Sequence, residues 1–367
     1  MKKILMIFLL MLFSAVLCAD AYAESADYAD HIDGEIYGSI TDEAQDFLDE
    51  NGITPDNNGA AGLTFTGVLK SVWDMLAEKA IQPLKVLGAL CGAVLLCALA
   101  NSVAPDNTLK GVLSAVGALC GAGICASAIV GVIDEALGVL SASANFMLVF
   151  IPSFAGIAAA LGYIGTASAV NSAVIAASQL FSQICVNLLA PLCSTILGFS
   201  IAGAVHPELK IEKAGEVIKK FTVWSLSLIM TVFMGVLSVQ TAVVSSSDGT
   251  AIKAAKFLVS QGVPFVGGTI SDAVGTVGSG LEILKSGVGT YGIVAAAAMI
   301  LPMILTLVCY LAVFSAAQAA AEMFDLKPLA TLAKSCAQIM SIILAVCACF
   351  LLLNFISVTL LLSMTKQ

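Results

Sequence analysis

The chain contains no arginine. All 16 of its basic residues are lysine, and histidine occurs only at His31 and His206. Charged residues make up 11% of the 367 positions, whereas a soluble domain is roughly one quarter charged. Two water-soluble domains of this length would lack the charge to cover their surfaces. The lysines are too few and too scattered to form a nucleic-acid interface. Two isolated histidines argue against a zinc or haem site. G-x-x-x-x-G-K-[ST], G-x-S-x-G, H-E-x-x-H and C-x-x-C are all absent, so no nucleotide, acyl-transfer, metalloprotease or dithiol chemistry has a motif to rest on. GTVGSG (275–280) lacks the strand context of a dinucleotide site. The reading is non-enzymatic, with no catalytic residue, metal or cofactor assigned.

What the chain has is apolar length: 59% of its residues are hydrophobic. This points to an all-α polytopic membrane protein. Met1-Lys2-Lys3, the apolar run 4–17 and Ala21-Tyr22-Ala23 have the layout of a signal peptide over 1–23; an uncleaved first helix is the alternative. Residues 24–62 form an acidic exported tail. Eleven Asp or Glu and no Lys fall within 24–60, so a mobile, self-repelling segment is expected, with a short helix around 41–51 that Thr41 caps. The cysteines after Cys18 lie in or beside apolar runs and read as buried small hydrophobes.

Between 63 and 85, Leu69, Val72, Trp73, Leu76, Ala80 and Ile81 recur at helical spacing. This is an interfacial helix with Trp73 at the water–lipid boundary. Charge-free runs then fall at 86–105, 111–133, 136–207, 221–247, 286–321 and 335–365. A crossing needs about 20 residues, and the third run breaks at Pro152, Gly162, Gly165 and Pro191 into helices near 137–161, 167–189 and 191–206. The count is about eight transmembrane helices plus interfacial or re-entrant amphipathic ones. They form a first membrane group at 86–207 and a second at 221–367, with a broken amphipathic segment at 248–288.

Lysine-rich loops stay cytoplasmic. The richest is 206–220, where Lys210, Lys213, Lys219 and Lys220 lie opposite an apolar face; 208–220 reads as a cytoplasmic surface helix drawn to anionic lipid. The tail and Asp134-Glu135 then lie outside and Lys110 inside, with the 322–334 loop inside if 248–288 does not cross. The C-terminus is outside if 248–288 does not cross.

GALCGA occurs twice, at 88–93 and 117–122. Gly88/Gly92 and Gly117/Gly121 are small-xxx-small pairs that permit close helix approach. Neutral polar residues, among them Asn145, Gln179, Gln183, Asn187, Gln318 and Asn354, are read as interhelical hydrogen-bond formers.

One stretch, GVLSVQTAVVSSSDGTAIKAAKFLVSQGVPFVGGTISDAV (235–274), resembles the stage III sporulation protein AE family. The likeness is carried by Gly235 to Gln240, Asp248-Gly249, Ala255 to Phe257 (with Lys256), Val263 to Gly267 around Pro264, Gly268, and Asp272; SGLEILKSGVGTYGIV (279–294) continues it. The resemblance implies a subunit of a transenvelope channel between mother cell and forespore, needed late in spore development. It implies residence in the mother-cell-derived membrane around the forespore. Its partners would be the other stage III channel subunits, including a separate cytoplasmic ATPase, and membrane lipids. A stand-alone secondary transporter and a subunit of a secretion machine are the alternatives. Within 256–274, Pro264 and Gly262, Gly267 and Gly268 separate two amphipathic helices, which makes these positions candidate hinge or contact residues. The segment is an interfacial pair, a re-entrant hairpin or a crossing.

Overall fold

The computed structural model describes residues 37–53, 65–103, 107–160, 174–205 except Ala177, parts of 217–235, and 287–364. Among these residues everything but short turns is helical, and no strand occurs. The elements are α1 (Asp42–Glu50), α2 (Phe65–Lys79), α3 (Ile81–Val103), α4 (Asn107–Ala160), α5 (Ala190–Val205), α6 (Gly287–Met323) and α7 (Lys327–Met364). A π turn, Cys185–Leu189, leads into α5.

Among the described residues, five stretches are long and apolar enough to cross a membrane: Gly67–Val103, Ala115–Ser153, Val174–Ala204, Tyr291–Met323 and Lys327–Thr359. The all-α membrane class therefore holds, but four of the expected crossings merge into two. Runs 111–133 and 137–161 are one 54-residue helix, α4. Asp134 and Glu135 do not turn the chain; they sit exposed on α4 while Val132, Ile133 and Ala136 are buried. Two carboxylates mark a wet face, but reversing a chain requires backbone that cannot continue the helix, and neither Gly nor Pro stands there. At about 1.5 Å per residue, α4 is about 80 Å long, far more than one bilayer core.

The second merger is at Pro191. The expected break between 167–189 and 191–206 is instead the π turn. A proline ring clashes with the carbonyl four residues back, here that of Asn187, and widening the preceding turn lets the helix pass without stopping. At Pro83 the same clash, with the Lys79 carbonyl, coincides with the α2–α3 junction. Ala80 alone interrupts the helix, and backbone bonds from Ala80 N–H to Leu76 O and from Leu84 N–H to Ala80 O carry it across. Of the second membrane group, the run at 221–247 is described only in part, as the short apolar helix Lys220–Ile229.

The expected 322–334 loop is a tight turn, shorter than the charges suggest. α6 ends at Met323 and α7 begins at Lys327. Asp325, with φ of 53°, takes the left-handed position usually filled by glycine. Its N–H donates to Glu322 O at 3.1 Å, and Leu326 N–H reaches Ala321 O at 2.9 Å, the two bonds of a Schellman cap. Leu326 and Ala321 then meet in a small apolar cluster with Val94, Leu329 and Ala330, which ties α3 to the tip of the α6–α7 hairpin.

α6 is the central helix. It packs along α7, against α3 and α4, and against α1 and α2. Of its apolar stretch 83% is buried, against 11% for Gly67–Val103, so α6 faces protein while Leu84, Leu95, Leu96, Leu99 and Val103 of α3 stay exposed as a lipid-facing surface would.

Candidate functional site

The two copies of GALCGA lie in different surroundings. A Cβ on Gly117 would meet the Cys97 side chain of α3, and one on Gly121 would meet Leu329 of α7. Gly88 and Gly92 have nothing within 4 Å of that position. The second copy is thus a three-helix contact, while the first presents its glycines to open space and buries Leu90 instead.

Part of the acidic tail, expected to be mobile, is folded onto the bundle. α1 buries Ala44, Phe47 and Leu48 in the same core as α6, and that apolar face outweighs the self-repulsion of its carboxylates. Gly52, with φ of +67°, and the bonds from Gly52 N–H to Asp49 O and Ile53 N–H to Leu48 O close its C-terminus in a second Schellman cap. Thr41 is the N-cap residue by position, without a side-chain cap bond. Lys79 pairs with Glu43 at 2.6 Å, and Asn51 Nδ2 donates to Ser71 Oγ at 3.3 Å. The two links lie eight residues apart on both α1 and α2, so these helices run side by side in opposite directions. On α2, Val72 and Leu76 face the core, while Leu69 and Trp73 stay exposed, Trp73 at 67%.

The Tyr37 hydroxyl donates to Asp49 at 2.7 Å (Oδ1) and 2.6 Å (Oδ2). That bond, slight burial and the charges of Asp49 and Asp46 push the Tyr37 pKa up to about 12. The neutral phenol is therefore favoured in the docked form. Its contribution is intact below the free-tyrosine pKa of roughly 10 and is lost as pH rises from there towards about 12. Limited proteolysis of 37–53 should accelerate in that window. Tyr37→Phe should remove the pH dependence; the same pH profile in that variant would assign the release to another group.

Deeper in the bundle, three helices meet at neutral polar side chains. Asn354 Nδ2 of α7 donates to Ser143 Oγ of α4 at 2.9 Å. Gln179 Nε2, on the helical stretch before the π turn, donates to Ala144 O at 3.0 Å. Phe181 stacks on Phe350 with centroids 5.4 Å apart. Ser178, three residues before Phe181, and Ser357, three residues after Asn354, are fully buried. Of the polar residues singled out in the sequence, Asn354 and Gln179 make interhelical bonds. Asn187 bonds Gln183 (3.5 Å) and Gln318 bonds Glu322 (2.8 Å) within their own helices. The serines were not singled out; the spacing Asn354/Ser357 on one helix, matched by Ser178 on another, is the signal that marks them.

The ten described cysteines are all unbridged, and no metal-holding group of His, Cys, Asp and Glu occurs among the described residues.

A sequence model described as "Stage III sporulation protein AE" matches residues 52–365. The chain belongs to that family. Stage III sporulation protein AE of Bacillus subtilis (strain 168) is 22% identical over 260 residues, covering 70% of this chain and 64% of that protein. This chain thus matches less than two thirds of its curated relative. No solved structure matches it. The stage III AE motif residues Gln240, Asp248, Gly249, Lys256, Phe257, Pro264, Gly267, Gly268 and Asp272 lie outside the described residues, as do Lys210, Lys213 and Lys219. Lys220 is described, exposed at the start of Lys220–Ile229.

Proposed function

We propose that this chain is a non-enzymatic integral membrane subunit of a transenvelope channel joining mother cell and forespore, required for late forespore development. The observation that carries this reading is family membership over 52–365; five apolar helices of crossing length give it the body of a membrane subunit. The membrane is the mother-cell-derived one around the forespore. The partners are the other stage III channel subunits, with a separate cytoplasmic ATPase supplying energy. The lysines of 206–220 face the cytoplasm, and the segment at 248–288 is the contact or hinge element towards those subunits. Deleting the gene in a sporulating host is expected to stop development after engulfment, with restoration by a plasmid copy. Normal spores from the deletion strain would sink the reading. Transport of a small molecule by the purified chain alone in liposomes would favour a stand-alone permease instead.

A further inference from the structure

We propose that the junction of Ser143, Ser178, Asn354 and Ser357 is an internal water-binding site, a wet node inside the helix bundle. All four side chains are 0% exposed. Asn354 spends one amide proton on Ser143. Asn354 Oδ1, Ser178 Oγ and Ser357 Oγ have no hydrogen-bond partner.

Serine and threonine in membrane helices ordinarily satisfy themselves on the carbonyl four residues back. Ser153, Thr195, Ser200, Thr306, Ser315 and Thr359 do so here, at 2.7–3.0 Å. Ser178 and Ser357 do not, so their hydroxyls remain for something else.

The three orphan oxygens belong to one place. Ser178 lies one turn from Phe181, and Asn354 one turn from Phe350, the two rings that stack. The two helices run antiparallel there, as the contact between Gln179 and Ala144 next to Ser143 requires. Ser357 follows Asn354 on the same face of α7, three residues on.

The chemistry of the four groups selects the occupant. Every one is neutral. The carboxylates described on α4, Asp134 and Glu135, are about 12 Å or more away along the helix axis. α7 carries no carboxylate, and neither does 174–205. A bare cation would lose its hydration with no opposite charge to compensate. Water fits by count. It accepts from the Ser178 and Ser357 hydroxyls and donates to Asn354 Oδ1, the roughly three bonds that a buried water makes. Contacts bridged in this way can be re-formed at a new register. Ser178, the node's member before the π turn, lies seven residues ahead of Cys185, where that turn begins.

The test is hydroxyl-radical footprinting by X-ray radiolysis on the purified full chain in nanodiscs, because radicals arise from bound water even where bulk solvent cannot reach. Phe181 and Phe350, both buried, are expected to be oxidised several-fold faster than Phe314, which is equally buried on α6 beside Tyr310. In Ser178→Ala/Asn354→Leu/Ser357→Ala the two rates should fall to that of Phe314; Ser357→Ala alone should lower them in part and serves if the triple variant does not fold. Wild-type Phe181 and Phe350 as protected as Phe314 would overturn the proposal. Thermal stabilisation by sodium over choline chloride, abolished in the variants, would also overturn it by assigning a cation.

Discussion

Leucine in place of Gly292 is expected to collapse the yield of folded protein. A Cβ at Gly292 falls on the ring of Phe150 across the α6–α4 contact. Phe150 is 0% exposed and stacks on Phe146 at 5.4 Å, so the ring has no solvent-facing rotamer to move to. Overpacking a dense interior costs about 1–3 kcal/mol even where neighbours adjust. The leucine adds three further carbons beyond the clash, at a point where the central helix meets the longest one. The readout is the monodisperse peak and apparent Tm of detergent-solubilised protein. Gly292→Ala paired with Phe150→Leu should recover much of the loss, because it returns volume at the same spot. A wild-type Tm for Gly292→Leu would mean that α4 and α6 do not meet there.

The second large effect compares positions that are identical in sequence. Gly121→Leu should destabilise the bundle, since the new side chain competes with Leu329 for the space between α4 and α7. Gly117→Leu should do the same against Cys97. The cost of each is expected in the range of about 1–3 kcal/mol. Gly88→Leu and Gly92→Leu, in the same hexapeptide one span earlier, meet nothing and should leave Tm unchanged or slightly raised, because leucine favours the helix over glycine. Tm values for the four variants in one lipid mixture decide it; equal losses at all four would show that both copies pack.

The same contrast explains what could be read from the sequence. Periodicity and caps are local, and they worked locally: a helix over 41–51 became Asp42–Glu50, and irregular backbone at Pro191 became a π turn. Counting crossings from charge-free runs failed at Asp134-Glu135 and at Pro191, where the helix continues. An apolar residue scores alike whether its neighbour is a lipid tail or another helix. Residues 86–103 of α3 and 287–321 of α6 are both charge-free, yet one helix is nearly bare and the other nearly enclosed. The acidic tail misled for a similar reason. Its eleven carboxylates dominate its composition, but the docking of α1 is decided by Ala44, Phe47, Leu48 and Ile53, which share one side. The family motif was legible as a string of residues; apart from Gly235, its positions within 235–274 lie outside the described residues.

By itself, then, the sequence determined the solvent this protein lives in and the secondary structure it adopts there. A chain with 11% charge cannot cover a soluble surface, and apolar runs of crossing length must be helical to satisfy their own backbone. Only the tertiary structure decided which helices face lipid, which glycines are contacts, and where buried polar groups meet. Those properties belong to pairs of residues far apart in the chain. Ser143 and Asn354 are separated by 211 positions, and neither acquires its role until α4 and α7 are packed together.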